Sequence, residues 1–502
     1  MNYNSTRDSS VKVTAAQAIA QGISRDGGLF VPENLPHYSY ADLCALQQMD
    51  YNGRAKKILA DFLSDFTQTE IDESVDSAYT AEKFGSNHPA PLTLLQNGEK
   101  NMYLLELWHG PTCAFKDMAL QILPHLLTKS LTKTQEGKTA VILVATSGDT
   151  GKAALEGFKD VSGTKILVFY PEDGVSPMQK RQMNTQEGNN VGVCAIYGNF
   201  DDAQTGVKKI FTNPEIGAVL AQNNMLFSSA NSINWGRLLP QIVYYFSAYC
   251  DLMGTGEMDF DGEKVNIVVP TGNFGNILAA YYAMQMGLPV NKLICASNAN
   301  NVLTDFLRTG VYDRNRAFHT TISPSMDILI SSNLERLLYH LTGGNDAQLR
   351  AWMGELSEKG RYSVGEELLS ALRSVFYSGC CDDEATKQTI RTVFETENYL
   401  VDTHTAVAVN VYDQYVAETG DLSTPTIIAS TASPYKFAAS VLEALEGRQE
   451  DGDEFAMIGQ LSAVSGTPVP APIAALQGKE LRFSNVCKED GMKEVVLNFI
   501  RS

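Results

Sequence analysis

Lys116 stands in the run WHGPTCAFKD, residues Trp108 to Asp117, between Phe115 and Asp117. A Gly110-Pro111 turn precedes it, and an apolar helical run (Met118, Leu120, Ile122, Leu123, Leu126, Leu127) follows. The pattern puts this lysine at a helix start, away from any exposed charge cluster. A desolvated lysine sheds its proton and can attack a carbonyl, so a Schiff base with an aldehyde cofactor is the chemistry to test. An ordinary surface lysine at a helix terminus is the alternative, and taken alone the local run favours it.

Two other stretches bear on the choice. Pro270-Thr271-Gly272-Asn273-Phe274-Gly275-Asn276 follows the strand VNIVV and precedes the helix ILAAYYAMQM. Glycines let the backbone turn its amide hydrogens toward one point, and a helix N-terminus adds partial positive charge, so the loop can cradle a phosphate without a basic side chain. It is neither GxGxxG nor a P-loop, and a plain strand-to-helix turn has the same appearance. Thr146-Ser147-Gly148-Asp149-Thr150-Gly151 sits likewise before the helix-forming KAALEGF. Its hydroxyls and amides suit a substrate carboxylate, although Asp149 could equally be an N-cap.

The elements that must position these loops alternate from Asn101 onward. Strands are expected at Tyr103 to Leu107, Thr139 to Ala145, Lys165 to Tyr170, Val191 to Tyr197, Val265 to Val269, Lys292 to Ser297 and Pro425 to Ser430, with helices between. Continuous apolar strands between amphipathic helices mean parallel sheets covered on both faces, an α/β fold whose ligands bind at the carboxyl ends of the strands. The expected divisions are an N-terminal mixed α/β domain over 1–95 and a catalytic α/β region over 96–303 with a smaller subdomain at about 139–230. A helical insertion without a clear strand follows over 304–399, then a return to the catalytic domain over 400–446, and a C-terminal linker and helix over 447–502.

With 502 residues, 44% of them hydrophobic and 19% charged, the chain has the composition of a soluble globular protein of two or three domains. No apolar run approaches the roughly 18 residues of a membrane span, and the start, MNYNSTRDSSVKVT, lacks an apolar signal segment, so a cytoplasmic protein is expected. A net charge of −19 disfavours nucleic acid or anionic membrane as partner, and any anionic substrate needs a local cluster of donors. The eight cysteines form no CxxC pair or zinc-type grouping, so neither a disulfide framework nor a metal site is expected.

A lysine opening one helix and two anion-binding loops closing parallel strands resemble the pyridoxal-phosphate enzymes of the tryptophan synthase β family, fold type II. The runs SRDGGLFVP, HGPTCAFKDMA, ATSGDTGKAAL, NSINWGRLLPQ, PTGNFGN, STASPYKF and GTPVPAPI, in that order over nearly the whole chain, are similar to the threonine synthase family. The resemblance implies pyridoxal 5'-phosphate as cofactor, two parallel-sheet α/β domains, and Lys116 as the residue that forms the internal aldimine. It implies that Gly272, Asn273, Phe274, Gly275 and Asn276 hold the cofactor phosphate and that Thr431 stands beside the pyridine nitrogen. Ser433 and Tyr435 replace the His and Ala common in relatives, and Asp402-Thr403-His404-Thr405 lacks a proline common before that histidine, so His404 is read as a satisfied structural residue.

The implied reaction is O-phospho-L-homoserine plus water to L-threonine and phosphate, a γ-elimination followed by β-addition of water, by a lyase that is a monomer or homodimer. Thr146, Ser147, Asp149 and Thr150 are the expected contacts to the substrate, with Asn184, Asn234 and Arg237 as candidates for its phosphate. Arginine suits a bidentate grip. Lys180 and Arg181 are further phosphate candidates or a solvated helix face. A serine/threonine dehydratase, a sulfhydrylase and a catalytically silent binder of phosphorylated metabolites are the competing readings.

Overall fold

The computed structural model describes residues 1–501 except 96–100, 136, 147, 174, 257, 259–261 and 448–452, with main chain only at 200 and 201. Two parallel sheets carry the site. The larger has six strands in the order Phe376–Cys380, Val290–Ser297, Val265–Pro270, Thr426–Ser430, Met102–Glu106, Leu92–Leu95, parallel except for the last, which is an antiparallel edge. Every residue of Met102–Glu106, Val265–Pro270 and Thr426–Ser430 is buried, as strands covered on both faces require. The smaller sheet runs Val486–Cys487, Val191–Ile196, Thr164–Pro171, Thr139–Ala145, Met225–Ser228, all parallel.

The alternation of apolar strands and amphipathic helices thus gives the α/β fold expected. Each loop of interest leaves the carboxyl end of a strand, Thr146 after Thr139–Ala145 and Thr271 after Val265–Pro270. The helix Trp235–Thr255, nearly all of it buried, packs on Gly275–Gln285 and on the N-terminal helices Tyr40–Gln47 and Tyr51–Phe62. The N-terminal residues also form a three-stranded antiparallel sheet, Asp8–Val13, Tyr3–Ser5, Phe30–Pro32.

Three expectations need correction. The stretch 304–399 does contain strands: Phe376–Cys380 is the edge of the larger sheet, and Val311–Asp313 pairs with Arg361–Ser363. FYSGC is too short and too glycine-bearing to announce a strand, and the preceding helix pattern runs straight into it. The helix expected from Met118 to Leu131 is broken into Asp117–Leu120 and Leu123–Thr134, since Pro124 has no N–H to continue the ladder. The C-terminal stretch is more than a linker and a helix: it adds the strand Val486–Cys487, the helix Glu454–Ser465 and the helix Met492–Arg501, whose Val496, Leu497 and Ile500 pack in the core of the smaller sheet. Residues 448–452 of the acidic run EGRQEDGDE lie outside the described residues.

Candidate functional site

The loop before Lys116 is a tight coil held by one buried carboxylate. Asp117 accepts from the Thr112 main-chain N–H at 2.8 Å and from its hydroxyl at 2.7 Å. Gly110 lies so close that a Cβ there would sit 2.5 Å from that of Asp117, so no other residue fits. The loop then pairs with the segment after Thr426–Ser430: the Phe115 N–H donates to Thr431 at 2.8 Å and the Ser433 N–H to Cys113 at 3.0 Å. This two-sided pairing sets Thr431 next to Lys116. Among the described residues the Thr431 hydroxyl has no hydrogen-bond partner, and the residue is 5% exposed.

The Lys116 side chain is 12% exposed and points among charged groups. Its amine donates to Ser325 Oγ at 3.2 Å and lies 3.8 Å from Asp149 Oδ2. Asp149 in turn accepts from Ser325 Oγ at 3.1 Å and from Gln179 at 3.1 Å, and pairs through Oδ1 with Lys436 at 2.8 Å. Lys436 is fully buried and also donates to the Thr112 carbonyl at 2.9 Å. Burial favours a neutral Asp149, but Lys436 and Lys116 outweigh it and hold this carboxyl well below the usual range. Burial pulls Lys116 down to about 8, against the opposing pull of Asp149, with Lys436 and Arg237 adding to the fall.

A pH signature follows. Between about 8 and the ordinary 10.5 the unfolded chain binds the Lys116 proton and the folded chain does not, so this group makes stability rise with pH across that window. We expect Lys116→Met to be more stable than the parent protein, both without cofactor, at pH 7, with the gap closing as pH passes through that window. Urea titrations at several pH values measure this, and a gap constant with pH would contradict it.

The second loop is built around an absence of acceptors. Phe274 adopts φ 63° just before the helix Gly275–Gln285 and gives no side-chain cap. The carbonyls of Gly272 and Asn273 are taken by Ser331 Oγ at 2.8 Å and by the Asn333 N–H at 3.1 Å. Among the described residues, the main-chain N–H groups from Gly272 to Asn276 donate to nothing. The buried Asn276 amide is fixed by Tyr244 and Tyr245, which donate to its oxygen at 2.5 and 2.6 Å, and among the described residues its Nδ2 is left without a partner. Orphaned donors converging on a helix N-terminus are what an anion requires. A Cβ on Gly272 would lie 2.8 Å from the carbonyl oxygen of Ser325, the residue that holds Lys116, so amine and loop share one site.

Comparison with known proteins agrees with this geometry. Family models match over three consecutive stretches: "Threonine synthase N terminus" at 2–79, "Pyridoxal-phosphate dependent enzyme" at 85–375 and "Threonine synthase, C-terminal" at 405–496. Threonine synthase of Saccharomyces cerevisiae is 37% identical over 469 residues, covering 89% of each chain, and that of Pseudomonas aeruginosa 37% over 483 residues, covering 96% of this chain and 95% of its own. The chain belongs to the threonine synthase family. Human threonine synthase-like 1 is 39% identical over 474 residues, and this chain spans 62% of that longer protein. Among solved structures, a pyridoxal-phosphate-bound threonine synthase from Brucella melitensis superposes with a TM-score of 0.87 at 36% identity, covering 100% of both chains, and the yeast threonine synthase with 0.89 at 34%, covering 100% of this chain and 98% of its own.

For a threonine synthase family member the donor set fits pyridoxal phosphate: an amine able to be neutral, a free hydroxyl at Thr431, and a loop of unpartnered N–H groups. The other candidates divide. Arg237 is 3% exposed and donates to the Ala230 carbonyl at 2.8 Å; among the described residues it has no carboxylate partner and its Nε has no acceptor. Burial lowers it to about 10, with Tyr244 opposing. Asn234, by contrast, is consumed: its oxygen caps Gly236 at 2.9 Å and its Nδ2 donates to Ile19 and Ser229 at 3.0 and 2.9 Å. Three residues earlier, the half-buried Asn231 and Ser232 have free side chains among the described residues, and they replace Asn234 as candidates.

Asn184 exchanges hydrogen bonds with Tyr170 at 2.9 and 3.2 Å. Lys180 pairs with Glu172, and Arg181 donates to the Leu476 and Lys479 carbonyls, each at 2.9 Å, so both serve the scaffold. Thr146 Oγ1 accepts from Gly148 and Gly151 at 3.0 and 2.9 Å, while its hydroxyl proton donates to nothing among the described residues and stays available to a substrate carboxylate; Asp149, an anion engaged with Lys436, does not suit one; Thr150 is half-buried with a free hydroxyl among the described residues. Ser147 lies outside the described residues. Sequence reasoning missed Ser325, which carries no motif signal, and Lys436, which had one: a lysine flanked by Tyr435 and Phe437, as Lys116 is by Phe115.

Proposed function

We propose that this chain is a threonine synthase: it takes O-phospho-L-homoserine and water to L-threonine and phosphate as a carbon-oxygen lyase, in the cytoplasm, as a monomer or homodimer. The observation that carries the reading is a buried lysine whose amine is pulled down to about 8, within reach of neutrality, set against a loop of orphaned donors in a chain of this family. Lys116, Gly272 to Asn276 and Thr431 would hold pyridoxal phosphate, which when bound supplies the electron sink that acidifies carbons next to the substrate amine. Lys116, once free, takes the α proton as general base, since at about 8 a substantial share of its amine is unprotonated near neutral pH. Asp149, ionised and gripped by Lys436, keeps that amine oriented through Ser325. Arg237, with Asn231 and Ser232, receives the substrate phosphate in a protein whose overall charge repels it. The divisions of the chain at 95, 303, 399 and 446 belong to the same proposal.

The test is phosphate release and threonine formation from O-phospho-L-homoserine, measured beside keto-acid formation from threonine. Activity only on threonine makes the chain a dehydratase, and a preparation that shows no borohydride-sensitive visible band after pyridoxal phosphate is added makes it a binder. Arg237→Ala is expected to raise KM for O-phospho-L-homoserine by about 10²-fold, the worth of a charge-assisted contact, while cofactor affinity falls less than tenfold. Equal losses in both place Arg237 at the cofactor instead.

A further inference from the structure

Ser325 is the only residue hydrogen-bonded to the Lys116 amine among the described residues, and it is held from the far side by a histidine. Its main-chain N–H donates to His404 Nε2 at 3.1 Å. A main-chain N–H can only donate, so Nε2 must present its lone pair and the ring proton must sit on Nδ1. Nδ1 lies 2.7 Å from Asp402 Oδ2, an acceptor that fixes this tautomer. Asp402 is itself anchored as the N-cap of the helix Thr403–Thr419, taking the N–H groups of His404 at 2.9 Å and Thr405 at 3.1 Å. Both residues are buried, Asp402 at 0% and His404 at 2% exposure.

The loop bearing Ser325 does not depend on this contact for its shape. Asp327 braces it separately, accepting from Thr321 N–H at 3.0 Å, from Asn298 at 2.8 Å and from Asn300 at 2.9 Å. What the His404 bond adds is the exact height of residue 325 above the Lys116 amine, with Oγ placed to accept from Lys116 and donate to Asp149 Oδ2. We infer that Asp402 and His404 form a positioning dyad which, through Ser325, holds the Lys116 amine in register with Asp149. The inference deepens the proposed function by naming what aims its general base, and it makes His404 more than a satisfied core residue.

The test uses the full-length protein without cofactor, so its outcome is independent of the reaction assigned. Acetylation of Lys116 by acetic anhydride at pH 6.5, where the parent amine is mostly protonated, is followed by mass spectrometry. Losing the Ser325 hydrogen bond disfavours the charged amine, so Ser325→Ala and His404→Ala are each expected to speed acetylation about fivefold, the worth of one hydrogen bond. The double variant should be no faster than either single one. His404→Gln, whose amide oxygen can accept from the Ser325 N–H, should stay within about twofold of the parent protein, and in the holoenzyme should keep kcat where His404→Ala lowers it with KM unchanged. An unchanged rate in Ser325→Ala, or additive effects in the double variant, overturns the proposal. Should His404→Ala fail to fold, His404→Gln decides: behaviour like Ser325→Ala overturns it, and behaviour like the parent supports it.

Discussion

Replacing Lys116 with alanine is expected to leave a folded protein that has lost threonine formation by about 10³-fold or more, within the range that positioned proton transfer contributes. The fold has little reason to need this amine. Its burial is unfavourable for a charged group, as the fall to about 8 records, and its one hydrogen bond among the described residues is to Ser325. Circular dichroism should be unchanged, and the borohydride-sensitive band should vanish. Retained turnover in Lys116→Ala would falsify the proposed function, whatever the family of the chain.

The second large effect is expected at Lys436. Its amine is fully buried, and it is the nearer of two cations on Asp149, at 2.8 Å against 3.8 Å for Lys116. Lys436→Met keeps the length of the side chain and removes the charge, leaving a buried carboxylate short of its main partner, a change that costs about 3–5 kcal/mol. Urea unfolding measures this loss. Lys436 also helps depress Lys116, so without it the Lys116 proton is held more tightly and the rising limb of the pH–rate profile should move to higher pH. Adding Asp149→Asn removes the stranded charge, and the double variant should recover most of the lost stability. A single variant as stable as the parent would mean that water, not the ion pair, solvates Asp149.

Much of the site was legible along the chain because its parts are local. A strand, a glycine-bearing turn and a helix start occupy consecutive residues in PTGNFGN and in TSGDTG, so their geometry follows from nearest-neighbour chemistry. Lys116 was legible for the same reason: an apolar helical run begins directly after it. Asn234 misled because its motif, NSINWGR, places several amides within one turn and only the helix start decides which is consumed as a cap. Phe376–Cys380 was missed because a five-residue edge strand takes its identity from pairing with Val290–Ser297, far away in sequence.

By itself, then, the sequence determined the parallel α/β class, the two glycine-bearing loops at strand ends, the lysine before a helix and the family. These rest on hydrophobic periodicity and on glycines at fixed offsets, which act over a few residues. Tertiary structure alone decided the charges around that lysine. Ser325, His404 and Lys436 lie 209, 288 and 320 residues from Lys116 along the chain, by difference of their numbers, and meet it only because strands from distant segments end at one edge of the sheet. A pKa is set by burial and by what stands within a few ångströms, and neither quantity exists until the chain has folded.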